Sequence, residues 1–134
     1  MPRLPEKQVG LRVYREATIE ALLRATRLVR DFLRGEHSIE YFAKEYGNFY
    51  YYEALDGHEA VGEQKHILEE LRAVIAFHEK VQCEVVDLVY LGEDEYSQQH
   101  CDAGRISRTD AGTKLKQLAK RYDLDVMLTF LSRK

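Results

Sequence analysis

Both prolines lie within the first five residues, and none occurs from Glu6 to Lys134. Proline breaks a helix interior by removing a backbone donor and clashing with the preceding turn, so its absence leaves helix length unrestricted. Glycine is then the main breaker, and Gly35, Gly47, Gly57, Gly92 and Gly104 mark the expected stops. Between Gly10 and Arg34, Leu11, Tyr14, Thr18, Leu22, Ala25, Leu28, Val29 and Phe32 recur at three- and four-residue steps. That periodicity predicts a helix with one buried stripe, and Gly35 supplies a left-handed C-terminal cap. Arginines 15, 24, 27, 30 and 34 fall mostly off the stripe.

After the short link through His37, Ser38 is placed to cap a second helix, with Glu40 favourably near its positive end. Ile39, Phe42, Tyr46 and Phe49 share its inner face, which predicts an αα-hairpin. Whether Asn48 to Tyr52 extends that helix is left open by Gly47 and by the β propensity of the tyrosines. Beyond the Asp56-Gly57 turn signal, Val61, Ile67, Leu68, Leu71, Val74, Ile75, His78, Val81, Val85 and Leu88 keep helical spacing. Unbroken from Glu59 to Leu91, this helix would be about 50 Å long, so a bend near Gln82-Cys83 is expected. A strand over Cys83–Leu91 is the alternative, given Val85, Val86 and Val89.

From Gly92 to Gly104 runs a polar, acidic connector with one helical turn expected around Tyr96–His100. Ser107, with Asp110 three residues on, starts a last helix whose inner face holds Leu115, Leu118, Ala119 and Tyr122. Lys114, Lys116, Lys120 and Arg121 lie on its outer side, and Leu124 to Leu131 is apolar enough to dock on the domain. The expectation is all-α: a compact antiparallel bundle of four to five helices, with residues 1–9 a tail and 10–134 one domain.

The formal charge of −3 hides a strong polarity. Residues 54–104 carry Lys65, Arg72 and Lys80 against twelve acids, whereas residues 105–134 carry eight bases against three. Such asymmetry bears on partners and association more than on fold. Asp56, Glu59, Glu93, Asp94, Glu95 and Asp102 are candidates for a patch facing a basic protein, with Tyr51, Tyr52 and Tyr96 as aromatic anchors. The basic last helix invites a nucleic-acid reading, but the acidic middle third repels phosphate, so nucleic acid is not the expected partner. A second copy of the chain is a further candidate partner.

Catalytic and cofactor motifs are missing from the sequence. No C-x-x-C, H-x-x-x-H, phosphate-loop glycine pattern or nucleophile elbow occurs. Glu63-Gln-Lys-His66 has the Glu-x-x-His spacing of di-iron bundles, which require a second copy that this chain lacks. Neither a metal, a cofactor nor an enzymatic activity is expected, and Glu63 and His66 read as surface or boundary residues. Cys83 and Cys101 read as free thiols, Cys83 as a small buried hydrophobe because of its apolar neighbours. No run reaches the roughly 18 to 20 apolar residues of a membrane span. The opening Met-Pro-Arg-Leu-Pro lacks the apolar core of a secretory signal, so a cytoplasmic location is expected.

Two segments carry a resemblance to a known family. The run from Leu28 through Phe32-Leu33-Arg34-Gly35 to Ser38-Ile39-Glu40-Tyr41-Phe42 resembles the first helix, turn and second helix of self-protective bacterial immunity proteins of the colicin D type. Gly104-Arg105-Ile106-Ser107 through Leu115-Lys116 to Leu118 is similar to that family's last helix and its approach. The resemblance implies a helical bundle that binds a toxin nuclease, presents acids to its basic RNA-binding cleft and blocks the active site. A helical adaptor or oligomerisation module without catalytic activity is the alternative.

Overall fold

A computed structural model describes residues 6–46 and 62–132, with the side chains of 6–9 and 11 excepted. Its first helix, α1 (Glu6–Leu33), begins four residues before Gly10 and runs through it. Gly10 is exposed with open space around it, so the lower helix propensity of glycine is its only cost there. Thr18, Leu22, Ala25 and Val29 are buried and Tyr14, Leu28 and Phe32 are half-buried, as the stripe predicts. Gly35 ends the helix at φ 81°, where its amide donates to Phe32 O and the Glu36 amide to Asp31 O. These paired bonds satisfy carbonyls the last turn would leave free, in the Schellman pattern.

Ser38 Oγ then accepts from the Tyr41 amide at 3.1 Å and opens α2 (Ile39–Tyr46). Ile39, Phe42, Ala43 and Tyr46 are buried, and the Phe42 ring lies 5.5 Å from Phe32 across the hairpin. Phe49, expected on the same face, lies outside the described residues. The long middle rod is divided. α3 (Glu63–Glu70) gives way at Leu71 to α4 (Arg72–Val81), and α4 passes into a π turn, Gln82–Val86.

That π turn is the form the expected bend takes. The Asp87 amide donates to Gln82 O at 2.9 Å, a five-residue step that widens the turn and re-aims the chain. Val81, Gln82 and Val85 stay buried, so the strand alternative for Cys83–Leu91 gives way to helix as far as Val86. One isolated parallel bridge, Val89 with Ile106, is all the extended pairing among the described residues. Cys83 corrects the sequence reading: it is exposed, because the inner face of this turn is taken by its neighbours Gln82 and Val85.

A single-turn helix, α5 (Gln98–Asp102), interrupts the connector. α6 (Arg108–Tyr122) starts where Ser107 Oγ accepts from the Asp110 amide at 3.0 Å. Its inner face is Ala111, Leu115, Leu118 and Ala119, with Tyr122 half-buried. Asp123 adopts φ 57° and separates α6 from α7 (Leu124–Ser132), so glycine is not the sole breaker in the chain. The described residues are all-α, with seven α-helices where four to five were expected. The excess comes from the break at Leu71, the turn at Asp123 and the short α5.

α1 is the centre of the packing. It runs beside α7 and also touches α2, α3, α4 and α6, while α4 packs on α6. Leu22, Phe42, Leu71, Phe77 and Leu115 are almost wholly removed from water. Burial of each such side chain stabilises the fold by about 1.5–3 kcal/mol. Among the described residues, no helix is long and apolar enough to cross a membrane.

Candidate functional site

The acidic connector is held by its own chain on both sides. The Tyr90 amide donates to Ile106 O at 2.9 Å and the Ile106 amide to Leu88 O at 3.0 Å, closing residues 88–106 into a loop. Arg105 Nη1 donates to Asp87 O at 2.8 Å and Arg108 Nη2 to Gly92 O at 3.2 Å. Arg108 also ties the connector to α2, its Nε lying 2.5 Å from Glu40 Oε1. The Glu40 carboxyl is held below its ordinary range chiefly by a hydrogen bond from its own backbone amide, with Arg108 adding to the effect.

Within the loop three rings form a platform. Tyr90 stacks on His100 with centroids 3.8 Å apart and an interplanar angle of 26°, and Tyr96 lies 5.9 Å from the same imidazole. Tyr96 OH donates to Arg105 O at 2.9 Å, so its ring is fixed by the returning segment of the chain. Tyr90 OH donates to Asp94 Oδ1. A Cβ on Gly92 would meet the far end of the Tyr90 side chain, so a larger residue there would displace the Tyr90 ring.

Ser97, His100 and Asp94 are the residue types of a hydrolytic triad, and their arrangement shows why they do not act as one. The Ser97 amide donates to His100 Nδ1 at 2.9 Å. That bond occupies the single lone pair of a neutral imidazole and leaves the proton on Nε2, which faces Asp94 Oδ2 at 3.6 Å. Ser97 Oγ, 3.1 Å from the same Nδ1, meets a nitrogen already engaged. The set is a capping box for α5 with histidine in the place usually held by Glu or Gln.

What the loop offers a partner is charge. Glu93, Asp94 and Glu95 are all exposed, and none forms an ion pair with a lysine or arginine among the described residues. Asp102 is exposed and accepts from Gln98 Nε2 at 2.8 Å, while Tyr96 is half-buried. The structure therefore gathers Glu93, Asp94, Glu95, Tyr96 and Asp102 on one loop. Asp56, Glu59, Tyr51 and Tyr52 lie outside the described residues. Tyr90 and His100 of the platform, and Ser97 of the capping box, are not among the site residues that the sequence singles out, and the Ser-x-x-His spacing is the available signal.

A second polar cluster lies inside the core. His78, fully buried on α4, has Nε2 2.8 Å from Thr26 Oγ1 of α1 and Nδ1 2.5 Å from Tyr46 OH of α2. Thr26 donates its hydroxyl proton to Leu22 O at 2.7 Å, so it accepts from Nε2–H, and Tyr46 donates to Nδ1. Desolvation lowers the His78 pKa to about 3, keeping the ring neutral. Its complete burial shuts out solutes, and its role is to join three helices.

Glu63 and His66 are both exposed, and no group of three or more potential metal ligands occurs among the described residues. On the basic side of α6, Lys114 reaches Glu84 at 3.0 Å, so part of that charge answers an acid of the same chain.

No family model matches the sequence. Neither a curated protein nor a solved structure gives a match.

Proposed function

We propose that this protein is a stoichiometric inhibitor of the immunity type, an antiparallel helical bundle that binds a basic bacterial toxin nuclease and covers its RNA-binding cleft. The observation that carries this reading is the pinned connector, with Glu93, Asp94 and Glu95 exposed and free of lysine or arginine partners among the described residues. Carboxylates held in this way offer a basic cleft the charge that RNA phosphates would offer. They accelerate encounter with a cationic surface and disfavour acidic partners. The loop loses little freedom on binding because its ring platform and backbone bonds already fix it.

The test is the association rate with a basic nuclease toxin, sought first among the products of genes adjoining this protein's own. Reversing Glu93, Asp94 and Glu95 together to lysine is expected to slow association by at least tenfold at low salt and to flatten its salt dependence. Wild-type association and inhibition in that triple variant would remove the connector as the binding site. A wild-type protein that neither binds nor inhibits the nuclease would remove the function itself.

A further inference from the structure

The π turn that leads into the connector is built around one buried amide. Gln82 is 2% exposed, in a stretch where Val81 and Val85 are buried as well. Its Nε2 donates to Asp87 Oδ1 at 2.7 Å, whereas its Oε1 has no hydrogen-bond partner among the described residues. An acceptor removed from water and left unpaired destabilises a fold, so an apolar residue of similar length would suit the core better at this position. The bond to Asp87 is what such a residue could not supply.

That bond depends on the form of the turn. In an α-helix, residues five apart point about 140° away from each other around the axis, and their side chains do not meet. A turn closed by five-residue steps brings them to the same side. The backbone makes that same step, the Asp87 amide donating to Gln82 O at 2.9 Å. Gln82 and Asp87 are thus joined twice, and the side-chain bond can form only while the turn is π. Neither residue marks the turn alone; the pair does. Asp87 is also where the connector begins to be tied. Its carbonyl accepts from Arg105 Nη1 at 2.8 Å, and the next carbonyl, Leu88 O, accepts from the Ile106 amide at 3.0 Å. Return to the α form would take up the extra residue of the turn and rotate the chain beyond it by about 100°, carrying both acceptors away from Arg105 and Ile106.

We propose that the side-chain bond between Gln82 and Asp87 is a register lock, which selects the π form of the turn and so sets the direction in which the acidic connector leaves the bundle. Gln82 is a positioning residue: it acts on the connector through Asp87 and is itself buried beyond a partner's reach. The unpaired Oε1 is the penalty of placing such a donor inside the core. The lock holds the connector whether or not a nuclease binds there, so it is independent of the inhibitor reading.

Amide hydrogen exchange and urea unfolding of the full chain, measured together, test this. Gln82→Met removes the donor and the unpaired acceptor alike and leaves the exposed Asp87 to water. Its urea midpoint should equal or exceed that of wild type. The Tyr90 and Ile106 amides, which close the connector, should nevertheless exchange roughly tenfold faster, while the Leu22 amide in α1 does not speed up. Asp87→Ala should speed the same two amides and also lower the midpoint, because it leaves the whole buried amide of Gln82 unpaired. Adding Gln82→Met to Asp87→Ala should raise the midpoint again. Asp87→Asn, which still offers Oδ1 to Gln82, should stay within about twofold of wild type at both amides. Wild-type exchange at Tyr90 and Ile106 in either Gln82→Met or Asp87→Ala overturns the proposal. So does a Gln82→Met protein that loses stability throughout, with Leu22 exchange rising in step, since Gln82 would then be an ordinary part of the core. If Gln82→Met does not fold, Asp87→Ala against Asp87→Asn decides alone: equal exchange in the two removes the lock.

Discussion

His78 shows how a single buried ring can set the pH response of the fold. It occupies an inner position of the helical stripe, which the sequence reveals, but its partners Thr26 and Tyr46 lie on other helices and are invisible to spacing along one of them. In the unfolded chain the imidazole titrates near its ordinary value of about 6.5. In the folded chain burial lowers the pKa to about 3. Between those values the unfolded state binds the extra proton, so stability is fully present above about 6.5 and is lost as pH falls toward 3. The contribution of one such group is a slope of up to about 1.4 kcal/mol per pH unit. Urea unfolding at stepped pH should show that slope in the wild type and a shallower one in His78→Gln, which cannot take up the proton. Equal slopes in the two proteins would show that other groups govern the acid response. Cys83 gives the opposite lesson, for its apolar neighbours in sequence pointed to burial and the π turn turns it outward.

At the scale of elements, caps and stripes were legible and interruptions were not. Gly35 and Ser107 announce α1's end and α6's start through their own backbone and side-chain chemistry. The length of the middle rod demanded a bend, yet no residue in Gln82–Val86 announces a π turn as its form. Asp123 was missed because glycine is the usual left-handed residue, although aspartate also tolerates that region. Its side chain has a second use: Oδ1 accepts from the Val126 amide at 3.2 Å and caps α7. Asp123→Ala removes the cap and leaves an ordinary Cβ residue in a left-handed turn, so a loss of about 1–3 kcal/mol is expected. Asp123→Asn, which can both cap and adopt that turn, should stay within about 0.5 kcal/mol of wild type. Chemical denaturation with an unchanged m-value measures both, and an Asp123→Ala protein as stable as wild type would remove this account of the corner.

For the whole molecule, the decisive question is whether the connector's acids serve the fold or something outside it. Charge counting located Glu93, Asp94, Glu95 and Asp102, but not the Tyr90–His100 platform beneath them, because ring stacking and the Ile106 return depend on contacts between segments far apart in sequence. Asp94 accepts from Tyr90 OH and Asp102 from Gln98, but Glu93 and Glu95 contribute little that the fold needs. Glu93 and Glu95 form no ion pair among the described residues, and the bonds that close the loop run through backbone atoms, Tyr96 OH and two arginines. Glu93→Gln and Glu95→Gln together should therefore leave thermal and chemical stability within about 0.5 kcal/mol of wild type, as expected for exposed substitutions away from packing. Removing two neighbouring like charges even relieves some mutual repulsion. The same double variant should associate more slowly with a basic nuclease partner, and the gap from wild type should close as salt screens the remaining charge. A protein destabilised by several kcal/mol would show instead that the carboxylates hold the connector together, and its slower binding would then reflect a loosened loop and not a lost charge.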